Sequence, residues 1–151
     1  MSHVKYPLDE EIKKQDLVRM ALRMGGIEVP SEYVCQNIYP QISADFPNNW
    51  ACRVAEIARQ KNIISLTNPD FLGDSGLPRI EALEILLKAK NIPLKKSTRS
   101  KFSDVTDPKQ IQIVNTALAL GFVSPNATFR PDEQIMHGEA FYMIKNISKY
   151  K

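Results

Sequence analysis

Apolar residues recur at helical spacing in three stretches of the chain that align with one another without a gap. "YPLDEEIKKQDLVRMA" runs from Tyr6 to Ala21, "FLGDSGLPRIEALEIL" from Phe71 to Leu86, and "FRPDEQIMHGEAFYMI" from Phe129 to Ile144. In each, an aromatic (Tyr6, Phe71, Phe129) precedes an aliphatic residue (Ile12, Leu77, Ile135), and an acid follows (Asp16, Glu81, Glu139). A turn acid aligns as Asp9, Asp74 and Asp132. Beyond the N-terminal acid, Leu17, Ala82 and Ala140, then Ala21, Leu86 and Ile144, then Met24, Ala89 and Ile147 form an apolar stripe in each copy. Each unit therefore reads as a loop leading into an amphipathic helix. The three helices are expected to share one core, with Leu86 and Ile144 nearly buried. The first should stop at Gly25-Gly26.

A second helical unit precedes two of these copies. One is Tyr39 to Ile64, with Asn48 or Asn49 as cap and Trp50, Val54, Ile57 and Ala58 on the apolar face. The other is Phe102 to Val123. Asp107-Pro108 gives it an N-cap followed by proline in the first turn, and Gly121 suits the residue past its end. The pattern predicts an all-α domain of at least five helices with no alternating strand. It divides into a partial repeat (1–38), a whole repeat (39–94) and a second whole repeat (95–151) that opens with a basic linker.

Composition changes this picture little. A 43% hydrophobic share of 151 residues is enough for a core, and a net charge of +3 is only a weak bias toward anionic partners. Lys95, Lys96, Arg99 and Lys101 read as a solvated loop, and without interleaved aromatics they argue against single-stranded nucleic acid. No run reaches a membrane span. The start "MSHVKYPLDEE" lacks the apolar stretch of a signal peptide, so the expectation is an intracellular protein or a fragment of a secreted one. Cys35 and Cys52 lack zinc-site spacing; they read as two buried thiols or as a disulfide, according to compartment.

One position resists a structural explanation. Arg79 falls in the first turn of its helix, where the positive end of the helix dipole favours anions. Lys14 and His137 align with it. One reading is an anion site built from backbone N–H groups and a cation. The other is a salt bridge to a nearby acid such as Asp74 or Glu81. On the first reading Arg79→Gln leaves stability unchanged or slightly raised. Asp16, Glu81 and Glu139 read as first-turn capping acids rather than catalytic groups. "NPDFLGDSG" lacks the ligand ladder of a calcium loop. No phosphate loop and no nucleophile–base pair stand out, so the chain reads as noncatalytic, with neither cofactor nor metal.

The order of these motifs resembles the S-layer homology family. "FSDV" (Phe102 to Val105), "WA" (Trp50, Ala51), "NII" (Asn62 to Ile64), "GFV" (Gly121 to Val123), "FRPDEQI" (Phe129 to Ile135) and "LPRIEA" (Leu77 to Ala82) carry the resemblance over nearly the whole chain. It implies a helical pseudo-threefold bundle with grooves between repeats. It also implies a role anchoring a surface protein, outside the bacterial cell, to an anionic cell-wall polysaccharide such as one ending in a pyruvate ketal. The family arginine survives as Arg79, with Lys14 and His137 in the other copies. Trp50 could stack on a sugar or simply pack, and Asp104 is the acid of the "FSDV" start. The candidate site is therefore Arg79 with Trp50, Asp104, Lys14 and His137. The rival reading is a degenerate module that holds a protein partner or self-associates.

Overall fold

A computed structural model describes residues 8–36, 38–39, 50–64 and 75–151, and among these described residues five helices enclose one core. They are α1 (Lys14–Met24), α2 (Trp50–Gln60), α3 (Arg79–Ala89), α4 (Pro108–Ala119) and α5 (His137–Ile147). Among the described residues there is no strand, only isolated antiparallel bridges pairing Glu11 with Met136 and Pro78 with Gln134. The anchors Tyr6 and Phe71, the cap at Asn48 or Asn49, and Asp74 lie outside the described residues.

Helices α1, α3 and α5 pack against one another, while α2 covers α1 and α4 covers α3. This follows from the stripes. Leu17, Ala21, Ala82, Leu86 and Ala140 are all fully buried. Ile144 departs from expectation: it is only partly buried, and Met143 fills the core in its place. The inward face of α5 thus keeps Ala140 and Ile147 of the aligned stripe and takes Met143 in place of Ile144.

Four of the five described helices, all but α5, end by one rule. The residue past the last turn has a positive φ at Gly26 (70°), Asn62 (61°), Asn91 (57°) and Gly121 (81°). In each case the following N–H turns back onto the helix: Ile27 to Leu22 O at 2.8 Å, Ile63 to Ala58 O at 2.9 Å, Ile92 to Leu87 O at 3.0 Å and Phe122 to Ala117 O at 2.8 Å. Glycine and asparagine are the residues that tolerate this conformation, so these positions stop the helices. Asp107 caps α4 by accepting from the Gln110 N–H at 3.0 Å.

Backbone bonds also link the helix starts. The first N–H of α1 (Lys14) donates to Ser75 O at 2.8 Å, that of α3 (Arg79) to Glu133 O at 2.8 Å, and that of α5 (His137) to Glu10 O at 2.9 Å. The three donors align in sequence, as do the three acceptors, and each bond reaches into a different copy. These bonds satisfy donors that a helix cannot satisfy for itself. The basic linker is a solvent-facing loop, fastened to α4 where Asn115 accepts from the Lys101 N–H at 3.1 Å and donates to Arg99 O at 2.8 Å.

Candidate functional site at the Arg79–Glu139 junction

The loop before α3 and the tight turn after Phe129 bring Arg79 beneath the start of α5. Arg79 is only 9% exposed. Its Nε donates to Phe129 O at 2.9 Å, Nη1 pairs with the Glu139 carboxylate, and the guanidinium lies 4.9 Å from the Phe129 ring centre. Burial lowers the Arg79 pKa, and the charge of Glu139 opposes that shift. The dipole penalty on this cation is therefore offset by an acid. That acid is neither Asp74 nor Glu81 but Glu139, sixty residues along the chain. The expectation that Arg79→Gln leaves stability unchanged does not survive this geometry.

Glu139 has two roles. One carboxylate oxygen caps its own helix by accepting from the Met136 N–H at 3.0 Å. The other takes Arg79 and, at 2.7 Å, Nη2 of Arg130. Lys14 stands in the matching relation to the next copy, its Nζ 2.7 Å from Glu81 Oε1. The Nδ1 of His137 lies 3.0 Å from Glu10 O.

The backbone donors foreseen for an anion are engaged within the protein. The Arg79 and Ile80 N–H groups go to Glu133 O and Pro131 O at 2.8 and 3.1 Å. At α5 the Gly138 N–H goes to Leu8 O at 3.0 Å.

Asp104 shapes the same junction from the loop before α4. Its carboxylate accepts from the Phe129 and Arg130 N–H groups, both at 2.8 Å. Burial pushes this carboxyl up, but those two donors and the Arg130 charge outweigh it and hold the pKa below its usual value. The bonds steady Arg130 at φ 61°, a left-handed conformation that is strained for a residue with a Cβ. Phe102 packs edge-on against Phe129 underneath, ring centres 5.5 Å apart.

Above this floor is a cleft of about 270 Å³. Arg79, Arg130 and Glu139 form one side, and Ser124, Asn126 and Thr128 offer hydroxyl and amide groups from the segment after α4. Tyr142, 48% exposed, lines the cleft, and its hydroxyl lies 3.3 Å from Ser124 Oγ. The arrangement can hold a ligand by charge, hydrogen bonds and one aromatic face.

Arg79 and Asp104 thus converge on one junction. Trp50 does not join them: it lines a separate cleft between α1 and α2, where Arg19 stacks over its ring at 4.5 Å. Sequence reasoning missed Arg130, Tyr142 and the second role of Glu139. The copy-to-copy alignment held a usable signal, since Lys14–Glu81 and Arg79–Glu139 are the same aligned pair shifted by one repeat. The cysteines form a Cys35–Cys52 disulfide, so of the two readings the buried thiols are set aside. Among the described residues no group of His, Cys, Asp or Glu side chains is placed to share a metal ion, and no helix is long and apolar enough to cross a membrane. No protein-family model matches the chain, and no curated protein matches it.

Proposed function

We propose that the chain is a noncatalytic binding module of the S-layer homology type, which anchors a surface protein to an anionic polysaccharide of the bacterial cell wall. The observation that carries this reading is the cleft at the Arg79–Glu139 junction, with a strained, Asp104-held Arg130 at its edge. The Arg130 side chain is 51% exposed and can meet an acid group on the glycan. Tyr142 offers a face for a sugar ring, and Ser124, Asn126 and Thr128 match sugar hydroxyls. Arg79 acts from below: it neutralises Glu139, which would otherwise repel an acidic ligand. Lys14 and His137 mark the equivalent junctions of the other copies.

The aligned backbone bonds between helix starts support a pseudo-threefold arrangement of the units 1–38, 39–94 and 95–151. The Cys35–Cys52 disulfide supports a position outside the reducing cytosol, at the cell surface.

Sedimentation with purified sacculi tests the function. The chain should pellet with polysaccharide-bearing sacculi and stay soluble with sacculi stripped of polysaccharide. Equal behaviour with both overturns the reading, and binding to a purified surface protein instead would establish the protein-interaction module.

A further inference from the structure

We propose that the cleft between α1, α2 and the 27–31 segment is a second binding site, for a compact ligand bearing two or more carboxylate or phosphate groups, and that the Cys35–Cys52 bridge holds its wall in place. The inference stands apart from the glycan reading, because it concerns different residues on another face.

The cleft has a volume of about 290 Å³, near the lower end of the range for small-ligand sites. Arg19 and Arg23, four residues apart, line it from one face of α1, and Arg53 lines it from α2. Among the described residues of its lining Glu28 is the one acid, against three arginines. Three guanidinium groups in a concave, low-dielectric wall focus an attractive field for anions. Arg19 and Arg23 each carry a planar fork suited to carboxylate or phosphate oxygens, and Arg53 adds its charge from α2. The Arg19 guanidinium carbon lies 4.5 Å over the Trp50 ring centre, a contact that holds this cation at the cleft. Leu22 and Val54, both buried, supply an apolar floor.

This chemistry is peculiar to one copy. The residues aligned with Arg19 and Trp50 are Glu84 and Lys109, which form a salt bridge at 2.8 Å. There the same positions neutralise each other; at the Trp50 cleft they leave the arginine positive charge in place.

The outer wall, 27–31, belongs to a segment fastened to α2. The Glu56 carboxylate is 0% exposed, and it accepts from the Tyr33 hydroxyl at 2.9 Å, the Gln36 N–H at 2.8 Å and the Ile38 N–H at 3.3 Å. The disulfide ties Cys35 to Cys52, one turn before Glu56 on the same helix. A wall held this way loses little freedom when a ligand enters.

Trp50 is the single tryptophan, so its emission reports this cleft directly. The oxidised chain is titrated with pyrophosphate and with citrate, the phosphate and carboxylate probes, against sodium chloride of matched ionic strength. Calorimetry on the same samples detects binding that leaves emission unchanged. At least one probe should bind saturably with a midpoint below about 1 mM. Arg23→Gln and Arg53→Gln should each raise the midpoint at least about tenfold, the loss of one hydrogen bond to a charged group. Lys96→Gln, an exposed linker cation outside both clefts, should leave it within about twofold. Reduction with dithiothreitol, with the helical circular dichroism retained, should raise the midpoint by about threefold or more. The site is refuted if neither probe binds beyond the chloride control, or if Arg23→Gln and Arg53→Gln leave the midpoint unchanged. An unchanged midpoint in the reduced, folded protein refutes the role of the bridge.

Discussion

Replacing Arg79 by glutamine tests how the junction is held together. The substitution removes a cation whose side chain is 10% exposed, together with its pairing to Glu139 and its place over the Phe129 ring. Removing one partner of a buried ion pair typically costs about 3 to 5 kcal/mol, because the other charge is stranded. Two features reduce that here. The Glu139 side chain is 24% exposed and keeps Arg130 at 2.7 Å. Glutamine can also replace the donor to Phe129 O. A net loss of about 2 to 3 kcal/mol follows, at or just below the lower edge of the range for a broken pair. For a chain of this length that lowers Tm by roughly 4 to 12 °C. The assay is urea unfolding, where the midpoint should fall with the slope unchanged. A cycle with Glu139→Gln should give a coupling above about 1 kcal/mol between the two positions. A loss below about 0.5 kcal/mol, the size expected of a surface change, would contradict the ion-pair account.

Other perturbations probe other parts of the structure. A Cβ at Gly25 would lie 2.2 Å from Ala89 O, so Gly25→Ala should force α1 and α3 apart and lower stability by about 1 to 3 kcal/mol in the same unfolding assay. Leu86→Ala should cost about 2 to 5 kcal/mol. Ile144→Ala should cost clearly less, because that side chain is only partly buried; equal losses would show that the α5 face is misplaced. Asp104 has a folded pKa below its unfolded value, so it stabilises the fold above the unfolded pKa and loses that contribution as pH falls through the folded one. Unfolding midpoints measured from pH 7 to pH 2 should drop less steeply in Asp104→Asn than in the parent.

Much of the helical frame was legible because it is local. Stripes at 3.6-residue spacing, the Asp107-Pro108 start and the stops at Gly26 and Gly121 each act within a few residues. The junction was legible only in part. Arg79 stood out as a cation at the wrong end of a helix, but its partner lies in another repeat, and no local pattern marks a contact across sixty residues. Arg130 was hidden for the same reason: its importance comes from Asp104, in a separate loop. Resemblance alone puts Trp50 at the Arg79 junction, whereas packing places it against Arg19 in another cleft. The disulfide depends on redox compartment as well as chain geometry, so spacing alone left it open. Glu56 gave little warning, because an acid within an alanine-rich helix is ordinarily solvent-facing.

The most direct test of the binding account is residue-resolved NMR of the folded chain titrated with soluble fragments of acidic cell-wall polysaccharide. The account predicts saturable shifts concentrated at Ser124, Asn126, Thr128, Arg130 and Tyr142, lost in Arg130→Gln while the remaining spectrum stays that of the folded protein. Shifts confined to the surroundings of Trp50, or none at all with fragments that a known S-layer homology domain binds, would contradict it.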